Sequence, residues 1–281
     1  MAAPDFVAVG HVTLDRFGAA ARPGGAALYA AVAAHRLGLS AGILTSHADD
    51  FPLDLIPPQI EVVTVPAPAT TTFEYAGRGG VRTSRVTATA RPLDDTDVPA
   101  DWRAAPLVLL APVVGEVDAH AAVAAFANPT VAAAPQGWLR ALGAGGAVTP
   151  APWTPPDVLL GRLQAIFVSN EDVGARVEDT VEWFQRVPIG VLTAGARGAL
   201  LYVNGERYEV RPRPAREVDP TGAGDVFAAT FLVRYHFDGD PWEAAAAAAC
   251  AASLSVEAEG WETVPDAATL AAAVAAYERE E

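Results

Sequence analysis

Short apolar runs recur along the chain, and the residues between them carry a helical pattern. Asp5 to Gly10, Ala41 to Thr45, Glu61 to Val65, Leu107 to Ala111, Val131 to Ala134 and Ala165 to Ser169 each read as a strand, and Ile189 opens a further strand and turn that runs to Gly198. Strands this uniformly apolar are buried on both faces, and their alternation with helical segments predicts a mostly parallel sheet with helices on both sides. Thr70 to Tyr75 and Val81 to Thr89 break the pattern by alternating polar and apolar residues around Gly77-Arg78-Gly79-Gly80, a hairpin signal. That hairpin is too polar for a central sheet. It reads as a small β-lid over the site, with lid segments at about 11–22 and 68–91. A second hairpin joins Ala199 to Val203 and Glu206 to Val210 across Asn204-Gly205.

Pro23-Gly24-Gly25 is read as opening a helix that reaches about Leu37, with Gly38 as its stop. Ala223 to Tyr235 spaces Val226, Phe227, Thr230, Phe231 and Val233 to bury one helical face. Two alanine-rich helices, Pro241 to about Glu259 and Asp266 to Glu281, complete the chain. The expected architecture is α/β, one domain over residues 1–281.

Composition narrows the chemistry. The net charge of −15 argues against nucleic acid or an anionic membrane as a partner. All 19 basic residues are arginine. Without lysine there is no Walker P-loop, no protein-kinase strand lysine and no Schiff base. Phosphate handling would fall to backbone amides, arginine and metal. Cys250 is the only cysteine and sits in an alanine-rich helix, so it reads as a small buried apolar residue. The chain enters its first strand without a basic segment and apolar core, and no apolar run reaches membrane-spanning length, so a cytoplasmic protein is expected.

The stretch that organises the chemistry is Val218-Asp219-Pro220-Thr221-Gly222-Ala223-Gly224-Asp225-Val226-Phe227. Pro220 keeps Asp219 extended, the glycines turn the backbone, and a helix begins at Ala223. A glycine turn feeding a helix N-terminus is an anion cradle. Asp225 in the first turn has two readings. It complements the helix dipole, or it is a general base beside a phosphoryl site, where it would take a proton from an attacking hydroxyl while the amides stabilise the transferring group.

This string resembles the C-terminal signature of the PfkB, or ribokinase-like, carbohydrate kinases, Asp-Thr/Pro-x-Gly-Ala-Gly-Asp. The resemblance implies an ATP-dependent kinase with Asp225 as catalytic base and the Gly222, Ala223 and Gly224 amides as anion hole. It places Asp15, Gly24 and Gly25 at the substrate, where Asp15 alone would read as a surface turn carboxylate. The family's usual Asn four residues after the second glycine is Tyr29 here. Gln136 and Arg140, after a strand, are further substrate candidates, and Trp138 between them reads as packing. Ser169-Asn170-Glu171-Asp172-Val173 matches the family's Asn-x-x-Glu motif in part: Asn170 is kept, the Glu position holds Val173, and Glu171 and Asp172 remain as candidates for magnesium through water or as acids of a helix start. Thr193-Ala194-Gly195-Ala196-Arg197-Gly198 corresponds to the family's Thr-x-Gly-x-x-Gly, which makes Thr193, Gly195 and Gly198 nucleotide contacts, with Asn170 and Thr221 beside them. In many relatives the position of Asp219 belongs to a monovalent-cation site, so the implied cofactors are ATP, Mg2+ and a candidate K+. The lid implies a homodimer clasp.

For the acceptor, Gly10-His11-Val12, Asp15, Tyr29, Thr71-Thr72-Phe73-Glu74 and Gln136-Gly137-Trp138-x-Arg140 resemble a short PfkB subgroup that includes myo-inositol kinases. This points to a small polyhydroxylated substrate, a sugar or cyclitol. Two alternatives stand beside it: a nucleoside kinase in which Tyr29 stacks on a base, and a sugar- or nucleotide-binding regulatory protein without turnover. A Rossmann dehydrogenase fails, because the first strand is followed by Gly-His-Val-Thr-Leu-Asp instead of Gly-x-Gly-x-x-Gly. His11 has no partner at metal-ligand spacing and reads as structural. Arg78, Arg82 and Arg85 read as solvated lid charges, any of which could reach substrate.

Overall fold

The computed structural model describes residues 2–78, 81–126 and 130–279. In chain order the elements are β1 (Phe6–Val9), β2 (Thr13–Phe17), β3 (Ala20–Gly24), α1 (Ala26–Arg36), β4 (Ala41–His47), β5 (Glu61–Pro66), β6 (Thr72–Arg78), β7 (Val81–Ala88), β8 (Leu107–Leu110) and α2 (Ala119–Ala125). There follow β9 (Thr130–Ala133), β10 (Arg140–Leu142), β11 (Val148–Pro150), α3 (Asp157–Leu160), β12 (Leu163–Ser169), α4 (Asn170–Val173), α5 (Val177–Phe184), β13 (Ile189–Thr193), β14 (Ala199–Val203) and β15 (Glu206–Val210). Three helices close the chain: α6 (Ala223–Asp238), α7 (Pro241–Ser255) and α8 (Ala267–Glu278).

Nine strands form one sheet in the order β15-β14-β13-β12-β9-β8-β1-β4-β5. Pairing is parallel from β5 to β13, and the β14–β15 hairpin adds an antiparallel edge. Period-two alternation sends Phe6 and Ala8 into one buried cluster, under α1, α6, α7 and α8, and Val7 and Val9 into the other, under α2, α3 and α5. This is the ribokinase-like arrangement that the strand–helix alternation predicts.

The lid is a separate four-stranded sheet, β3-β2-β6-β7, in which β2 and β6 run parallel and the outer pairs antiparallel. It contains more than the expected hairpin. The helix expected from Pro23 instead begins at Ala26, because Arg22, Pro23 and Gly24 are held in β3 by pairing with Asp15, Leu14 and Thr13. Gly25 makes the change of direction at φ +102, and a Cβ there would lie 2.4 Å from the His11 carbonyl oxygen, so only glycine fits. The turn at Gly79-Gly80 and the side chains of Arg78 and Arg82 lie outside the described residues.

Buried polar side chains pin the lid to the sheet. The His11 ring donates from Nε2 to the Arg91 carbonyl (2.9 Å), and with the ring neutral its Nδ1 accepts from the Thr71 hydroxyl (2.7 Å). Thr71 in turn accepts from the Ala90 amide. His11, Val113 and Val114 donate their amides to the buried carboxylate of Glu116, which ties the loop after β1 to the loop after β8. His11 is thus structural, as its isolation in the sequence suggested. No helix among the described residues is long and apolar enough to cross a membrane.

Candidate active site

Parallel strands present their carboxyl ends to one side, and the largest cavity, about 1800 Å³, lies there. Its floor comes from residues that follow the strands: Asp15, Val113, Ala134, Ser169 and Thr193. The lid covers one end with Phe17, Arg22, Phe73 and Tyr75, while Ala249, Ala252, Ser253 and Val256 of the α7 region bound the other. Residues 217–225 run between the two ends, so the organising stretch of the sequence sits where they meet.

The turn into α6 follows from its glycines. Gly222 is the N-cap in the left-handed region, φ +81, which a β-carbon would strain. A Cβ there would also lie 2.2 Å from the Tyr29 ring. The ring is therefore packed on the Gly222 backbone, with its edge toward Trp261 (centroids 6.2 Å apart), and Tyr29 is only 2% exposed. Tyr29 consequently supports the anion turn and has no free face to stack on a base, which corrects that part of the nucleoside reading. Its phenol is pushed well above the ordinary range, by burial first and then by the charges of Asp219 and Asp15. The N–H groups of the first turn of α6 have no acceptors within the helix. Of the amides expected to form the anion hole, that of Ala223 donates to the Pro220 carbonyl at 3.2 Å.

Asp225 is buried in that first turn and accepts a hydrogen bond from Gln136 Nε2 at 3.2 Å. Burial pushes its carboxyl up to about 7; Arg140 opposes the shift and Asp172 adds to it. Arg140 donates to the Val113 carbonyl (3.1 Å) and faces Asp172 at 3.7 Å. Asp172 is itself raised by burial, against the pull of Arg140. Gln136, Arg140, Asp172 and Asp225 thus form one charge-balanced group from four separate segments. A carboxyl near neutrality beside hydrogen-bond donors suits proton abstraction at physiological pH.

On the lid side, Asp15 is 2% exposed and accepts from the Thr13 hydroxyl at 2.8 Å. Gly24 makes room for it, since a Cβ there would lie 2.3 Å from Asp15 Oδ2. Gly25 lines the cavity behind it. Thr193, Gly195, Gly198, Thr221, Glu171 and Asp172 also line the cavity, whereas Asn170, the first residue of α4, is not among the lining residues. Arg85 points to other work, donating to the Gly145 carbonyl at 3.1 Å. Trp138 packs on Trp153 (4.9 Å between centroids), as expected.

Sequence reasoning missed the lid's aromatic wall and Arg22. Phe17 stacks on Tyr75 at 5.0 Å, and Tyr75 on Phe73 at 5.9 Å. The Arg22 guanidinium lies 4.3 Å above Phe17 and reaches Asp219 at 2.5 Å. The available signal was Gly18 between two five-residue stretches, and each stretch is too short for its alternation to stand out.

The model of the pfkB family carbohydrate kinases matches residues 160–268, which contain α6 and the Thr193 to Gly198 turn. Residues 160–268 are PfkB-family sequence, carried on a ribokinase-like fold. Within or near this PfkB region, the chain is 32% identical over 83 residues to the nucleoside kinase of Methanocaldococcus jannaschii, covering 29% of this chain and 28% of that protein. It is 41% identical over 81 residues to the inositol 3-kinase of Zea mays, covering 28% of this chain and 20% of that protein. The match thus spans less than a third of the length of either curated relative. Solved structures extend the likeness of fold to nearly the whole chain. A pyrophosphate-dependent myo-inositol-1 kinase converted into a myo-inositol-3 kinase superposes with TM-score 0.78 at 20% identity, over 97% of this chain and 99% of that one. A fructokinase double mutant from Vibrio cholerae O395, in its fructose-, ADP- and potassium-bound form, gives 0.74 at 20% identity, over 96% and 98%.

Proposed function

We propose that this protein is a kinase that transfers the γ-phosphoryl group of ATP to a hydroxyl of a small cyclic polyol, a sugar or cyclitol. The observation that carries the reading is Asp225: buried in the first turn of α6, raised to about 7 and bonded to Gln136, it stands between the lid end and the α7 end of one cavity. Asp15 holds acceptor hydroxyls, and the flat aromatic faces of Phe17, Phe73 and Tyr75 receive the apolar face of a ring. Asp225 takes the proton of the attacking hydroxyl. Charge on the transferring group falls on the first-turn amides of α6, and Arg140 balances the carboxylates around it. Thr193, Gly195, Gly198 and Thr221 border the donor, and the small side chains of Ala249 and Ala252 leave space for its base.

Magnesium would enter on the donor phosphates and screen their charge. Among the described residues no group of three or more His, Cys, Asp or Glu is arranged to hold a metal ion, so Glu171 and Asp172 fit a role through water, at the cavity wall. Lid closure excludes water from the reacting phosphoryl group.

The aromatic wall also favours a second reading, a nucleoside acceptor whose base stacks on the lid instead of on Tyr29. One experiment separates them: phosphoryl transfer from magnesium ATP, and in parallel from pyrophosphate, to cyclitols, pentoses, hexoses and nucleosides. The expected result is transfer to one cyclitol or sugar that Asp225→Ala abolishes. Response to nucleosides alone selects the second reading. ATP binding without transfer to any compound would favour a regulatory protein.

A further inference from the structure

The implied monovalent-cation position at Asp219 does not fit a cation in this chain. Asp219 Oδ1 accepts from the Thr221 amide (3.1 Å) and hydroxyl (2.6 Å). Its Oδ2 takes a guanidinium nitrogen of Arg22 at 2.5 Å, and the Gly260 amide stands at 3.5 Å. Arg22 reaches across from the lid strand β3 and also pairs with Glu259 at 3.2 Å. Burial alone would raise the Asp219 carboxyl, yet the Thr221 hydrogen bonds and the Arg22 charge together hold it below its usual range. A second cation brought to this carboxylate would meet a fixed positive charge already in contact with it.

We propose that Arg22 is a positioning residue that stands in for the monovalent cation. Its guanidinium neutralises Asp219, braces the Asp219-Pro220-Thr221 segment against α6, and makes the protein indifferent to potassium. The planar fork suits this use. One edge bridges two carboxylates while the plane lies on Phe17. The pair with Glu259, which is highly exposed, adds little beyond orientation. Because the charge is carried on a lid strand, the anion turn has its full complement of charge only with β3 in place. The consequence for turnover rests on the phosphoryl-transfer reading; the consequence for cation binding does not.

Two measurements on the full chain test this. Thermal unfolding without ligands compares KCl, NaCl and tetramethylammonium chloride at matched ionic strength. The wild-type midpoint should be equal in all three. Arg22→Ala, and Arg22→Gln in case the smaller residue fails to fold, should gain a saturable stabilisation specific to KCl, as binding to a vacated site requires. Arg22→Lys should behave like wild type. In the second measurement, phosphoryl transfer by Arg22→Ala should fall about tenfold in tetramethylammonium chloride and recover in KCl, while wild type is unchanged. A potassium-specific effect on wild type, or none on Arg22→Ala and Arg22→Gln, overturns the proposal. If no protein transfers phosphoryl groups, the kinase reading fails and the unfolding comparison still decides the role of Arg22.

Discussion

The two walls of the cavity are made of different materials. The α6 wall is mostly backbone: a glycine at φ +81, a helix start and a short turn at Gly195 to Gly198 whose last glycine fits where a Cβ would lie 2.2 Å from the Val210 carbonyl oxygen. The lid wall is mostly side chain: Asp15, Arg22 and the stacked rings of Phe17, Tyr75 and Phe73. Backbone donors suit a phosphate, whose oxygens are the same on every substrate. Side chains suit an acceptor, whose hydroxyls differ from one compound to the next. One wall is therefore fixed by sterics, and the other can vary by substitution.

The sharpest way to break this division is at Asp225, where the walls meet. Asp225→Ala should lower turnover by about 10²–10⁴, with circular dichroism unchanged. Rates near wild type would remove the base from the scheme. On the backbone wall, Gly222→Ala adds both strain at positive φ and overlap with the Tyr29 ring, and should cost about 2–4 kcal/mol in urea unfolding. A loss below about 1 kcal/mol would show that the turn adapts. On the side-chain wall, Asp15→Ala should act on one substrate only, raising KM for the acceptor by about 10–100-fold while leaving that of ATP unaltered. An equal change in both constants would mean that Asp15 shapes the whole cavity.

A pH profile gives a smaller effect with a definite sign. Asp225 stands at about 7 when folded, against 3.8 for a free carboxyl. Between these values the folded chain holds a proton that the unfolded chain has released, so this group's contribution to stability is lost as pH rises from about 4 to 7. The acceptor kcat/KM should rise through about 7 as the base ionises. Asp225→Asn should be inactive yet more stable than wild type at pH 8, by about 2 kcal/mol. A flat pH–rate profile between 6 and 8 would reject a base of that pKa. Smallest of all, Arg85→Ala, which releases only an exposed contact to the Gly145 carbonyl, should alter stability by less than about 0.5 kcal/mol and leave transfer rates unchanged.

The same division explains what could be read from the chain. The parallel strands were legible because burial on both faces leaves uniform apolar runs, and the α6 wall because its glycines and Asp225 are neighbours in sequence. Gln136 and Arg140 were legible as candidates following a strand, but their gathering with Asp172 around Asp225 depends on strand order, which apolar periodicity does not encode. Strand β3 was misread because Pro23 and the two glycines imitate a helix start, while the register with β2 that overrides them is a contact in three dimensions. Arg22 was passed over because its partner lies 197 positions away. Tyr29 was visible as a departure from the family pattern, but its contact with Gly222 was not.

The pin formed by His11 has a mechanical consequence. The chain enters the lid at His11 and Thr71 and leaves it at Ala90 and Arg91, and one imidazole with one hydroxyl fastens these points together. A flap whose hinge leaves are riveted at a single spot swings as a plate. Its two outer strands cannot peel away one at a time, so whatever angle the lid adopts, Asp15 and Arg22, paired across β2 and β3, must travel as a unit.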